Sequence, residues 1–81
     1  MTETMLYETL TAIFQDVFMH DVELRPELTA KDVTGWDSLK QISILLALEE
    51  HFGIKFHTKE LDALHSVGDL IRILSIKTRD L

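Results

Sequence analysis

The chain contains 81 residues, a length that corresponds to one small domain covering residues 1–81. Its 8 basic and 14 acidic residues give a formal net charge of −6, which argues against nucleic-acid binding, where basic side chains that neutralise phosphates dominate affinity. Cysteine is absent, which excludes disulfides and a thiol nucleophile, and the four scattered histidines predict no metal site.

The first element is a predicted helix over residues 3–18. Either Thr2 or Thr4 can cap its start. Apolar side chains recur at spacings of three and four and predict one buried stripe. That stripe contains Leu6, Leu10, Ile13, Phe14 and Val17.

A long loop is predicted next, over residues 19–36, because Pro26 blocks helix continuation. A structureless loop of this length in a small domain is usually functional or pinned down. The side chains expected to fold back onto the core are Leu24, Leu28, Val33 and Trp36. Trp36 has a second interpretation, as a recognition surface for partners.

The second helix is predicted over residues 37–52, with Asp37 or Ser38 as its N-cap and Gly53 as its stop. Its expected apolar face contains Leu39, Ile42, Leu45, Leu48 and Phe52, widened by Ile44 and Leu46. The remaining positions form the expected outer face, which is either solvated or a docking surface. They are Lys40, Gln41, Ser43, Ala47, Glu49 and Glu50.

The last third of the chain begins with a short extended piece at residues 54–57 and a brief helix at 59–63. Ser66 and Asp69 then resemble a capping box that opens a last helix over about residues 67–76. The tail from Lys77 to Leu81 is expected to fray. The predicted fold is all-α: a small four-helix bundle of three longer helices and one short third helix, with a long first loop.

The expected location follows from what the sequence lacks, while a monomer is only the default expectation. The first residues are acidic rather than basic, and no apolar run approaches the length of a signal core or a membrane span. We expect a cytoplasmic monomer that does not insert into membranes.

Ser38 is the most informative residue for function, because it stands in the first turn of the second helix after Asp37. One interpretation is an ordinary N-cap, although Asp37 already serves as a good cap. The other is a modified serine, since a phosphate there would lie in the favourable field of the helix N-terminus.

Catalysis by this chain is not predicted. Asp37 has no histidine placed to form a relay with it, and no glycine follows Ser38 as a nucleophile elbow requires. Asp32 and Asp37 also lack the ligand spacing of a calcium loop. We therefore predict no catalytic residues and no metal ligands.

The run Gly35-Trp36-Asp37-Ser38-Leu39, followed by LLALEEHFGI over residues 45–54, resembles the acyl carrier proteins. Their signature is Asp-Ser-Leu at the start of the second of four helices, with a Leu-Glu-x-x-Phe-type pattern behind it. The resemblance covers nearly the whole chain, including the acidity, the long first loop and the short third helix.

This resemblance implies that a phosphopantetheinyl transferase, using coenzyme A and magnesium, links 4′-phosphopantetheine to Ser38. Asp37 would aid docking of the transferase. The arm would carry acyl groups as thioesters to acyl-loading and acyl-processing enzymes. Those enzymes would dock on Leu39 and on the outer face of the second helix. The acyl chain would enter a space lined by the second and last helices.

Two residues depart from the family pattern. Lys40 stands where carriers of primary fatty-acid synthesis often place an acid, and His57 stands where many have proline. A lysine in the docking face would disfavour a partner evolved for a carboxylate, which predicts dedicated partners from polyketide, nonribosomal peptide or modified-lipid synthesis.

Two alternatives stay open from the sequence. The cargo could be aminoacyl or peptidyl rather than fatty or polyketide, since the loading enzyme chooses it. From a different class, the chain could be an unmodified helical interaction module whose Ser38 is only a cap.

Overall fold

The computed structural model describes residues 2–79, and these form four α-helices with no β-strand among them. The helices are α1 (Glu3–Phe18), α2 (Ser38–Phe52), α3 (Thr58–Asp62) and α4 (Val67–Lys77), with one turn of 3₁₀-helix at Ala30–Asp32. Helix α1 packs against both α2 and α4. The predicted all-α fold is therefore confirmed.

Helix α1 has the predicted bounds because its ends are capped. Thr2 Oγ1 accepts a hydrogen bond from the Met5 amide at 3.2 Å, which selects Thr2 over Thr4 as the cap. At the other end Met19 adopts a left-handed conformation with φ 62°. The inward face contains Leu6, Leu10, Phe14 and Phe18, while Ile13 and Val17 are half-buried beside it.

The first loop is ordered by contacts with the start of α4. The amides of Val67 and Gly68 donate to the carbonyls of Leu28 and Pro26, each at 2.9 Å. A Cβ at position 68 would lie 2.9 Å from the Pro26 oxygen, so this close approach requires glycine. The predicted pins also pack inward: Leu28 and Val33 are buried, and Leu24 and Trp36 are half-buried.

Helix α2 has a different inward face from the predicted one. Its buried residues are Ile44, Leu45, Leu48 and Phe52. The prediction that Leu39, Ile42 and Leu46 belong to the core is wrong, since they are 74%, 52% and 58% exposed. Apolar side chains surround most of this helix, so periodicity alone does not show which arc meets α1.

The end of α4 also differs from the prediction. The helix runs to Lys77, whose Nζ lies 2.9 Å from Glu60 Oε1, and Thr78 is completely buried. Fraying from Lys77 onward is therefore wrong for Lys77 and Thr78, because a long-range ion pair and packing hold them. Asp80 and Leu81 lie outside the described residues.

Candidate functional site

Ser38 is the first residue of α2, and it is exposed. The turn before it depends on Gly35, whose φ of 87° favours glycine. Asp37, not Ser38, is the N-cap, because its Oδ1 accepts a hydrogen bond from the Lys40 amide at 2.9 Å. The Ser38 hydroxyl is therefore not used to cap the helix.

The backbone around Ser38 favours a negative group. Within residues 2–79, the amides of Ser38 and Leu39 donate no hydrogen bond, as is usual in the first turn of a helix. Together with the dipole of the 15-residue helix α2, they create a positive end beside the Ser38 hydroxyl. The arrangement fits an attached phosphate.

Two contacts brace this turn against α1. The Trp36 ring packs edge-on to Phe14 at 5.1 Å between centroids. Lys40 Nζ donates to the Val17 carbonyl at 3.2 Å, near the end of α1 where the helix dipole favours a cation. Trp36 thus acts as a pin, and two contacts hold the start of α2 against α1.

A groove of about 510 Å³ opens beside Ser38, and we call it the Ser38 groove. Both α2 and α4 line it, as expected for the space that would take the acyl chain. Leu61 of α3 and Leu64, just beyond the end of that helix, also line it. Neither was predicted as a site residue, because a helix this short gives no clear apolar periodicity. Its larger apolar lining residues are Trp36, Ile42, Leu45, Leu61, Leu64 and Leu70, and its polar lining includes Ser38, Gln41, His65 and Ser66.

The predicted docking residues do not form one outer face. Three of them are exposed along α2: Leu39, Ser43 and Glu50. The other four are half-buried: Lys40, Gln41, Ala47 and Glu49.

Three of the half-buried side chains have partners inside the molecule or a place in the groove. Lys40 reaches the Val17 carbonyl, Gln41 lines the Ser38 groove, and Glu49 Oε2 accepts a hydrogen bond from the Phe56 amide at 2.9 Å. They therefore differ from a freely solvated outer face.

Three residues predicted for the core stripe of α2 instead form an exposed apolar surface near Ser38. Leu39, Ile42 and Leu46 lie along α2 at spacings of three and four, so they share one side of the helix. We call them the α2 apolar surface. Exposed large apolar side chains that cluster in this way mark interaction sites.

Helix α3, which forms one wall of the groove, is held mainly by polar contacts. None of its residues is buried, but Glu60 pairs with Lys77 and accepts a hydrogen bond from the His57 amide at 2.8 Å. The hydrogen bond from Lys77, followed by that from His57, lowers the pKa of Glu60 below its usual value. We call the Glu60–Lys77 pair the α3 latch.

The described residues contain neither a cluster of metal ligands nor a helix that could span a membrane. Within the described part of the chain, no three His, Cys, Asp or Glu side chains cluster to hold a metal ion. Among residues 2–79, no helix combines the length and the apolar character needed to cross a membrane.

Comparisons with known proteins decide the family. The sequence model of the phosphopantetheine attachment site family matches residues 8–74. The acyl carrier protein of Clostridium acetobutylicum is 31% identical over 77 residues, which span 94% of this chain and all of that protein. The chain belongs to the acyl carrier protein family.

Further relatives of this carrier protein agree. The acyl carrier protein of Thermosynechococcus vestitus is 30% identical over 78 residues, covering 95% of this chain and 96% of that protein. The solution NMR structure of the holo acyl carrier protein from Geobacter metallireducens superposes with a TM-score of 0.85 at 40% identity. That match covers 89% of this chain and 84% of the other.

The family settles the biochemical class. This acyl carrier protein bears a 4′-phosphopantetheine prosthetic group, carries acyl groups on it and is not itself an enzyme. It interacts with acyl-handling enzymes and with the transferase that installs the group. The predicted family, carrier function and prosthetic group are confirmed.

Proposed function

We propose that the phosphopantetheine arm is attached to the Ser38 hydroxyl. The observation that carries this proposal is an exposed serine at the start of α2 and at the mouth of an apolar groove. Of the three other serines, Ser43 Oγ donates to the Leu39 carbonyl and Ser66 Oγ caps α4. Ser75 is exposed on α4 but does not line the Ser38 groove.

The local geometry suits the product of that attachment. In the transfer, the Ser38 hydroxyl would lose its proton to a base of the transferase or to solvent, and its Oγ would bond to the phosphorus that carries the pantetheine. The pyrophosphate P–O bond of coenzyme A would break, and adenosine 3′,5′-bisphosphate would leave with that oxygen. The resulting phosphodiester anion would lie beside the unpaired amides of Ser38 and Leu39 and the positive end of α2. Asp37 would contribute to docking of the transferase, while its hydrogen bond to the Lys40 amide holds the turn in shape.

The arm supplies a thiol that forms thioesters, and the protein supplies the surroundings. We propose that the Ser38 groove shelters the acyl chain between α2, α3 and α4. Its volume of about 510 Å³ lies within the range of small-ligand pockets. Apolar side chains such as Ile42, Leu45 and Leu70 would exclude water from the chain and favour its burial.

We further propose that partner enzymes dock on the α2 apolar surface, together with Ser43 and Glu50. An enzyme that reaches an arm on Ser38 would meet Ile42, which is exposed and lies one turn further along the same side of α2. The exposed part of α2 near Ser38 carries no carboxylate beyond the Asp37 cap. Partners of a specialised pathway, with an apolar docking site rather than a basic one, fit this surface best.

Loading in vitro tests the attachment site. Incubation with coenzyme A and a broad-specificity phosphopantetheinyl transferase should add the mass of one phosphopantetheinyl group to the wild-type protein. Ser38→Ala should remain folded and unmodified, while Ser75→Ala, a change on α4 outside the Ser38 groove, should be modified normally. Modification of Ser38→Ala, or none of the wild-type protein with several transferases, would contradict the proposal.

Lys40→Glu tests whether partner selection depends on the charge at position 40, next to Leu39 of the α2 apolar surface. The new carboxylate would face the Val17 carbonyl, so it should turn outward onto the docking side and slow loading by the acyl-loading enzyme of the native host severalfold. The matched control is Lys40→Met, which removes the charge without adding a carboxylate. If kcat/KM for loading of Lys40→Glu equals that of Lys40→Met, partner selection does not depend on this position.

A further inference from the structure

Gln41 has a fixed orientation because of its hydrogen bond to Trp36. Trp36 Nε1 lies 2.7 Å from Gln41 Oε1, and an indole N–H can only donate. The amide oxygen of Gln41 must therefore face the indole. The NH₂ group, Nε2, is the end that remains for another partner.

That NH₂ group makes no hydrogen bond to another residue within residues 2–79. Gln41 is nevertheless half-buried and lines the Ser38 groove. It follows Ser38 by three residues, so it lies on the same side of α2, roughly 4.5 Å further along the helix axis. A directed donor therefore lies one turn away from the proposed attachment point.

We propose that Gln41 Nε2 donates a hydrogen bond to an oxygen atom of the phosphopantetheine arm and holds the arm along the mouth of the groove. This proposal rests on attachment of the arm to Ser38. The arm offers suitable acceptors in its phosphodiester, hydroxyl and amide carbonyl oxygens. Trp36 acts through Gln41 as a positioning residue, because its indole keeps the acceptor end of the amide turned away from the arm.

The function of Gln41 can be separated from simple bracing of Trp36. Gln41→Glu keeps an oxygen acceptor for the indole N–H but replaces the donor by a carboxylate, which cannot donate. Gln41→Met loses both contacts at a similar length. The Trp36 indole N–H resonance reports whether the brace is intact in each variant.

The first test compares apo and holo wild-type protein by ¹H–¹⁵N NMR. The side-chain NH₂ resonances of Gln41 should shift on attachment of the arm, and their exchange with solvent should slow. The control is Gln15 on α1, whose side-chain NH₂ donates to Asp21 Oδ1 at 2.7 Å. Its NH₂ resonances should not shift. Unchanged Gln41 resonances in a protein shown by mass to be fully loaded would overturn this proposal while leaving Ser38 as the attachment site.

The second test measures how readily the arm leaves the groove. In holo Gln41→Glu, the arm thiol should react with a disulfide reagent about threefold to tenfold faster than in holo wild type, the expected effect of losing one hydrogen bond. The difference should persist at high salt, where repulsion between the carboxylate and the phosphodiester is screened. Equal rates in holo wild type and Gln41→Glu, with the Trp36 resonance unchanged, would show that Gln41 only braces Trp36.

Discussion

At the scale of single residues, the structure shows which of Asp37 and Ser38 caps α2, a point that the sequence left open. The Asp37 carboxylate caps α2 through the Lys40 amide, and the Ser38 hydroxyl is exposed and does not cap the helix. Because Asp37 provides the cap, this turn does not support the alternative in which Ser38 serves only as a cap. This assignment of the cap predicts how substitutions at the two positions change the free energy of unfolding.

Asp37→Ala should lower the free energy of unfolding by about 1 kcal/mol, because the Lys40 amide loses its partner. Ser38→Ala should change it by less than about 0.5 kcal/mol, as expected for an exposed residue that makes no cap. Urea denaturation of the apo protein measures both. Asp37→Asn is the matched control, since asparagine caps about as well as aspartate. A loss on Ser38→Ala as large as that on Asp37→Ala would assign the cap to Ser38.

Some residue-scale features could be predicted from the sequence and others could not. The roles available to Asp37 and Ser38 follow from their order before an apolar helix, which is local information. The contacts of Lys40 and Glu49 depend on Val17 and Phe56, which reach them only through the fold. The sequence placed both on an outer face, either solvated or used for docking, and could not show that their side chains make contacts inside the molecule.

At the scale of elements, α3 is distinctive because it forms a wall of the groove without burying a residue. The α3 latch ties it to the end of α4, and Lys77 is well shielded, with a side chain only 15% exposed. Lys77 Nζ also lies 5.7 Å from the centre of the Phe56 ring, a contact between the end of α4 and the segment that precedes α3. The ionisation of Glu60 should therefore affect how firmly α3 is held.

Acidification should weaken the fold in part through Glu60. Its pKa is lowered in the folded state, so the unfolded chain binds the proton more tightly. The stabilisation is complete above the usual glutamate pKa of 4.5 and is lost as pH falls through the lower folded value. Urea denaturation across this window should show a shallower pH dependence for Glu60→Gln than for the wild type.

Some pH dependence should remain in Glu60→Gln, because the hydrogen bond from the His65 amide, helped by Arg72, also lowers the pKa of Asp69. Lys77→Met keeps much of the side-chain volume but removes the charge, so it should reduce the pH dependence in the same direction. Identical slopes for wild type and Glu60→Gln would show that the latch does not stabilise the fold.

The element boundaries were predictable because short-range capping sets them. Thr2, Gly53 and Ser66 lie where the sequence analysis placed the ends of helices, and the structure uses each as a cap. The inward face of α2 was not predictable, since leucine and isoleucine occur on most of its sides. The end of α4 depends on Glu60, which is distant in sequence from Lys77.

At the scale of the whole molecule, the fold, the groove and the family agree on one function. Three helices surround an apolar groove whose mouth contains a serine, and the chain matches acyl carrier proteins over nearly its full length. The fold class could be predicted because apolar periodicity and capping residues mark helices along the whole chain, with the Asp-Ser-Leu motif at the start of the second. The cargo could not, because the loading enzyme selects it and the groove lining offers mainly apolar contacts.

The most direct test of the central claim is intact-mass analysis of the protein purified from its native host, followed by fragmentation to locate the modified residue. We predict a mass increase of one phosphopantetheinyl group, with or without an acyl cargo, localised to Ser38. The same spectrum would distinguish an acyl from an aminoacyl or peptidyl cargo. A protein that carries no such group, or carries it on a residue other than Ser38, would contradict the account.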